Sequence, residues 1–231
     1  MVENQFVYTG SDNLETMKEA HNYNAFLVSL IMSSDLKPNA EILDIGAGIG
    51  SFAEILRSKG YNISCLEPDA THAEILQQQG FKVYTSMMEI ETQFDFMYAF
   101  NVLEHIEDDT QALSAWATKL KENCKLLIYV PALNVLFSSM DTKVGHFRRY
   151  TRKGLTKRVT EAGLKIVKPA RYADSIGFFV TLIFKLIGND KGDINTKALI
   201  FYDRFLFPIN RIFDIFFRKA FGKNTFITVE K

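Results

Sequence analysis

A chain of 231 residues, 47% of them apolar, is long enough for one α/β domain with a sizeable core and too apolar to stay disordered. Twenty-seven basic residues balance twenty-seven acidic ones, which excludes the cationic excess of a nucleic-acid binder. The two cysteines, Cys65 and Cys124, sit in apolar stretches with no CxxC spacing, so they read as core thiols of a reducing, cytoplasmic setting and exclude a disulfide framework.

The first twelve residues carry Glu3 and Asp12 and no continuous apolar run, so an export signal is not expected. Residues 12–33 then predict a helix, with Ser11 or Asp12 as its cap and Leu14, Met17, Phe26, Leu27, Leu30 and Ile31 at helical spacing. Pro38 breaks the chain. From Glu41 to Pro131 short apolar runs at 41–45, 62–67, 82–85, 94–100 and 125–130 alternate with helical stretches at 51–59, 71–79 and 108–121. That alternation predicts βαβ units and a parallel sheet covered on both faces. Residues 132–150 show no clear period. A helix over 152–162, with Gly163 as its C-cap, leads to a strand at 164–168, and the β-branched run 225–229 predicts a last strand. The longest uncharged apolar run, Ser175 to Phe184, falls far short of the roughly 20 residues that span a bilayer.

The string Glu41-Ile-Leu-Asp-Ile-Gly-Ala-Gly-Ile-Gly50 runs a buried strand into a glycine-rich turn and then into a helix opening at Ser51. Gly46 and Gly48 let a ligand approach the backbone without a Cβ in the way, and the helix start offers free N–H groups. Glu67 ends the next strand twenty-one residues after Gly46, where a carboxylate can accept both hydroxyls of a ribose, and Pro68 can pack flat against an adenine. A dinucleotide turn prefers G-x-G-x-x-G, whereas here Ser51 stands at the third glycine's place. Asp44 would repel a pyrophosphate but suits the ammonium end of a methionine moiety.

Residues 41–131 resemble a class I S-adenosylmethionine-dependent methyltransferase of the ubiquinone-biosynthesis-like (type 11) branch. Leu43-Asp-Ile-Gly-Ala-Gly-Ile-Gly50 is similar to its first motif, Glu67 to its second-strand acid and Asn101-Val-Leu-Glu-His-Ile-Glu-Asp108 to its fourth-strand motif. The resemblance implies a Rossmann-like, doubly wound sheet of seven strands whose last strand is reversed. It implies one domain over 1–231: a helical cap (1–40), a cofactor-binding core (41–131), a substrate-side loop, helix and strand (132–171), a helical insertion (172–222) and the last strand (223–231). By the same resemblance Asp44, Gly46, Ala47, Gly48, Asn101, Val102 and His105 would line the methionine half of S-adenosyl-L-methionine. Glu67 and Pro68 would hold the ribose and adenine, and Ser86 and Met87 would flank the adenine, although the Asp common there is missing. The product would be S-adenosyl-L-homocysteine. An NAD-dependent oxidoreductase and a catalytically silent cofactor-binding or membrane-associated scaffold are the alternatives from other classes.

Methyl transfer from a sulfonium needs an acceptor held in line and one proton managed, so the sequence says little about the acceptor. Of four histidines, His72 reads as surface, His21 as part of the roof and His105 as facing the crevice. His146, in Asp141-Thr-Lys-Val-Gly-His-Phe-Arg-Arg-Tyr150, is the candidate general base, because this segment follows the carboxyl end of a strand, where open α/β sheets bind ligands. Tyr23, His146, Arg148, Arg149 and Tyr150 are candidate substrate contacts, the arginines as clamps for a carboxylate or phosphate. An oxygen on a hydrophobic or lipid-linked small molecule is the expected acceptor. The histidines are scattered without ligand spacing, so no metal is expected.

Ten of the twenty phenylalanines fall between Phe178 and Phe221. Over 198–221 Asp203, Arg204, Arg211, Asp214 and Arg218 share one helical face, while Phe201, Phe205, Ile209, Ile212, Phe213 and Phe216 share the other, and Pro208 must kink or split the helix. Packing on the sheet, a pocket lid, a peripheral membrane contact and a homodimer interface through 172–221 all fit that pattern.

Overall fold

The structure, a computed structural model, describes residues 11–187 and 195–231. Residues 1–10 of the expected cap and 188–194 of the expected insertion lie outside the described residues. Seven strands form one sheet in the order β3-β2-β1-β4-β5-β7-β6. They are β1 (Glu41–Ile45), β2 (Asn62–Leu66), β3 (Lys82–Tyr84), β4 (Phe94–Phe100), β5 (Leu120–Pro131), β6 (Lys165–Ala173) and β7 (Asn224–Glu230). β1 to β5 pair in parallel, and β7 runs antiparallel between β5 and β6. This is the expected Rossmann-like sheet with a reversed last strand.

Because side chains alternate across a strand, the continuous apolar runs bury on both faces. Leu43, Ile45, Met97, Ala99, Leu126 and Ile128 join one core, beneath helices α5 (Asp109–Thr118) and α7 (Arg152–Glu161). Ile42, Phe96, Tyr98, Phe100, Leu127 and Tyr129 join the other. Phe26, Leu27 and Ile31 of α2 (His21–Met32) cover that second face, edge-on to its aromatic rings. The remaining crossover helices are α3 (Ser51–Ser58) and α4 (Ala70–Gln78).

The expected single helix over 12–33 is two: α1 (Ser11–Met17) and α2, separated at Lys18–Ala20. Within the aperiodic stretch, a 3-10 turn (Asn134–Leu136) precedes α6 (Ser139–Lys143). The strand expected at 164–168 runs on to Ala173, because its reversed neighbour pairs with it as far as Asn224. After it come α8 (Ser175–Ile187), α9 (Thr196–Phe201) and α10 (Phe207–Phe217). A π-helical turn over Tyr202–Leu206 joins the last two just ahead of Pro208, which can neither donate its amide nor tolerate a regular turn before it.

The helical pair α9–α10 is inverted relative to its amphipathic pattern. Asp203 and Asp214 are only 4% and 5% exposed, whereas Phe201, Phe205, Ile209, Ile212, Phe213 and Phe216 lie open. The reason is local. The first amides of a helix have no partner within it. Asp203 accepts the Asn22 and Tyr23 N–H groups at the start of α2, at 2.9 and 2.8 Å. Asp214 accepts the Asp174 and Ser175 N–H groups at the start of α8, at 3.1 and 2.9 Å, and Asn210 Oδ1 accepts that of Ile176. The two aspartates of the polar stripe are turned inward to cap two helices, while Arg204 and Arg211 stay exposed beside the apolar stripe.

Candidate functional site

At the carboxyl edge of β1 and β4 lies a cavity of about 440 Å³. Its floor is the glycine turn. Gly46 and Gly48 take the left-handed conformation, at φ 68° and 55°, and a Cβ on Gly46 would stand 2.5 Å from Val102 Cγ2. Only glycine meets both demands there. Asp44 lines the cavity from beneath, nearly fully buried, and its Oδ2 has no hydrogen-bond partner. Burial pushes its carboxyl up to about 7; the Tyr98 hydroxyl opposes the shift and the Glu67 charge adds to it. Glu67 reaches across the turn, accepting Gly48 N–H at 2.6 Å and Asp69 N–H at 3.0 Å, and burial raises its carboxyl too. Each of its oxygens keeps a further lone pair. Asn101, at φ 54°, ends β4 in the left-handed region that asparagine tolerates, and lines the cavity beside Val102.

The other end of the cavity is built by two distant segments. A 3-10 turn after β4 (Leu103–His105) carries Glu104 and His105, and His146 follows α6. Phe147 N–H donates to the Glu104 carbonyl at 2.8 Å and ties the segments together. Asp141 accepts His146 Nδ1–H at 2.7 Å and a fork from Arg149 at 2.8 and 3.0 Å. Burial works against the charge on Asp141, yet these donors hold its carboxyl down at about 2. As that carboxylate can only accept, it takes the proton on His146 Nδ1, and Nε2 stands 3.8 Å from Glu104 Oε1. Glu104 is fully buried with neither carboxylate oxygen hydrogen-bonded, and desolvation pushes it up to about 8. Burial lowers His105 to about 4, and the neighbouring His146 adds to the effect, so His105 is neutral near pH 7.

Of the residues singled out from sequence, Asp44, Gly46, Ala47, Gly48, Glu67, Pro68, Asn101, Val102, His105, His146 and Tyr23 all line this cavity. Ser86 and Met87 are not among its lining residues: Ser86 caps the short turn after β3 and Met87 packs against the core. Arg148 and Tyr150 instead meet Asp109, and Arg149 meets Asp141, so all three brace the substrate-side loop from behind. His72, expected at the surface, is 3% exposed and lines the pocket, because it shares the inward face of α4 with Ala73 and Leu76. His21 is exposed and no part of the wall. Asn13, Leu14 and Met17 of α1 and Met140 and Val144 near α6 close the cavity, and among the described residues no member of 172–221 lines it. The described part of the insertion therefore contributes no wall to this cavity. Glu104 was invisible as a site residue because His146 stands some forty positions away, and Asp141, only five residues before His146, was missed because spacing alone does not show that its carboxylate meets the ring.

A methyltransferase-domain model matches residues 17–168, more than half of the chain. The chain belongs to the methyltransferase-domain family. Methyl transfer is the chemistry of that family, which sets the hydride-transfer alternative aside. Solved methyltransferases share this one's fold. A SAM-dependent methyltransferase from Archaeoglobus fulgidus is 19% identical, with 92% of this chain and 94% of that one covered at a TM-score of 0.60. A putative sarcosine dimethylglycine methyltransferase from Galdieria sulphuraria is 20% identical, with 90% and 85% covered, also at 0.60. The Haloferax volcanii complex of the Trm112 methyltransferase activator with a putative methyltransferase matches at 12% identity, 96% and 93% coverage and a TM-score of 0.65. Among curated proteins no sequence matches. No helix among the described residues of this methyltransferase is long and apolar enough to cross a membrane.

Proposed function

We propose that this methyltransferase takes its methyl group from S-adenosyl-L-methionine and delivers it to an oxygen of a hydrophobic or lipid-linked small molecule. The observation that carries the donor is the buried, partnerless Asp44 Oδ2 beneath a turn that only glycine can make. An unpaired buried oxygen is costly, and a ligand ammonium removes that cost. S-adenosylmethionine supplies a methyl already activated on its sulfonium. The chain's own residues bind and orient. Asp44 meets the amino-acid end, Gly46 to Gly48 give backbone access, Glu67 takes the ribose hydroxyls and Pro68 flanks the base. Leu14, Met17 and Tyr23 exclude water from above. His146 acts at the acceptor end, its ring oriented by the Nδ1 contact with Asp141.

Calorimetry with S-adenosylhomocysteine tests the donor. Binding is expected, and Gly46→Ala is expected to abolish it because the added methyl drives Val102 into the cavity. A wild-type chain that gave no heat would sink the proposal. With a tritiated donor and a membrane lipid extract as the acceptor pool, His146→Ala is expected to lower turnover while homocysteine-product binding stays near wild type.

The acceptor class rests on the inverted helices. Among the described residues, thirteen of the nineteen exposed large hydrophobic side chains lie on 179–217, well beyond the scattered few a soluble monomer shows. Asp203 and Asp214 are the only acidic residues among the described residues of 175–223 and both are buried, while Lys185, Lys197, Arg204, Arg211 and Lys219 are exposed. An apolar face whose exposed charges, among the described residues, are all basic fits an anionic lipid bilayer. β6 parallels β5, so α8 leaves the same edge of the sheet on which the cavity opens. Co-flotation with phosphatidylglycerol vesicles, lost in phosphatidylcholine or high salt, is expected. A stable dimer that ignores vesicles would assign the face to a second copy instead.

A further inference from the structure

The geometry points to a divalent transition-metal site at the acceptor end of the cavity, formed by Glu104, His105 and His146. Their donor atoms all lie within 4.8 Å of one another. The two imidazole rings meet at right angles with centroids 4.5 Å apart. Ligand atoms around a first-row ion stand about 3.4 Å apart, from bond lengths near 2.1 Å. The 3.8 Å between His146 Nε2 and Glu104 Oε1 is thus one small contraction from a bound geometry.

Three features separate this cluster from an ordinary buried ion pair. Glu104 is wholly buried, neither of its carboxylate oxygens accepts a hydrogen bond from another described residue, and the basic group beside it is His146 of the same cluster, at 3.8 Å. The nearby Arg149 guanidinium is occupied by Asp141, which it grips through both Nε and Nη2. Buried carboxylates either pair or coordinate metals. Second, the Asp141 carboxylate on His146 Nδ1 is the outer partner that metal-binding imidazoles use to fix tautomer and orientation. Third, the backbone of Val144 and Gly145 hydrogen-bonds the His105 ring and so fixes its orientation at the cavity wall beside His146. Two nitrogens and one carboxylate select a borderline ion such as cobalt, zinc, iron or manganese over calcium or magnesium.

Both histidines also line the cavity, so the ion's open positions face the space beside the methyl donor. There they would take a hydroxyl of the acceptor. That last step rests on the proposed methyl transfer to oxygen, whereas the metal site itself does not. With an ion bound, His146 serves as a ligand, and this replaces the general-base role expected from sequence.

Cobalt(II) titration of the full chain, without a histidine tag and after chelator treatment, provides the test. One equivalent is expected to bind with visible d–d bands. Glu104→Gln and His146→Gln are each expected to weaken that binding more than about tenfold, and Asp141→Asn by about 10- to 100-fold with the bands retained. Circular dichroism and S-adenosylhomocysteine calorimetry on the same samples report the fold and the donor site. No saturable cobalt binding by the wild-type chain would overturn the site even where the nucleoside still binds, and so would unchanged affinity in folded His146→Gln. Cobalt binding without nucleoside binding would instead keep the site and sink the methyl-donor proposal.

Discussion

Asp44 shows how one buried oxygen converts position into chemistry. Burial holds its carboxyl near 7 instead of the usual 3.8. As pH rises between those values the unfolded chain gives up this proton before the native one does, so the native state loses stability over that window. A bound ammonium reverses the preference, and binding must expel the proton wherever Asp44 still holds it. Affinity for S-adenosylhomocysteine is therefore expected to fall about tenfold per pH unit below about 7, levelling off above it. Calorimetry in buffers of different ionisation enthalpy measures the released proton directly. Asp44→Asn is expected to abolish that dependence and to weaken binding at pH 8; a pH slope that survived in the variant would place the titrating group elsewhere. The glycine turn and Glu67 were readable because strand, turn and acid lie in sequence order. The Ser86–Met87 assignment came from resemblance alone, and the side chains there turn to a cap and to the core.

At the scale of elements, alternating apolar runs and helical stretches sufficed for the sheet and its crossover helices, since each follows from local periodicity. What periodicity missed was the use of polar residues as remote caps. Asp214 lies forty residues from the amides it accepts and also takes the Ser175 hydroxyl at 2.6 Å. Asp203 lies about 180 residues from its own. No window of eighteen residues contains such a relation, so the stripe reads as solvent-facing. Asp214→Ala would leave two buried amides and a hydroxyl unsatisfied and is expected to cost about 2–4 kcal/mol. Asp203→Ala, which removes the α2 cap, is expected to cost about 1–2 kcal/mol. Urea midpoints at constant slope would measure both. Values within about 0.5 kcal/mol of wild type would mean that these carboxylates face water after all.

Over the whole molecule, the inverted helices turn a stability question into a functional one. An apolar stripe of this size normally implies a core, and substituting core phenylalanines costs about 3–5 kcal/mol. Here Phe216 is 75% exposed and Ile212 59%, on the outer side of a helix whose inner side is anchored by Asn210 and Asp214. Among the described residues nothing covers those two side chains, so their loss should leave folding alone. The double variant Ile212→Glu/Phe216→Glu is expected to unfold within about 0.5 kcal/mol of wild type, to bind S-adenosylhomocysteine normally and to lose flotation with anionic vesicles. Each new carboxylate also opposes the lipid charge, so the flotation loss should exceed that of the matching Ile212→Ser/Phe216→Ser pair, and the excess should shrink in high salt. If the glutamate pair instead dropped stability by several kcal/mol, the stripe would be a buried interface, and the bilayer would not be its occupant.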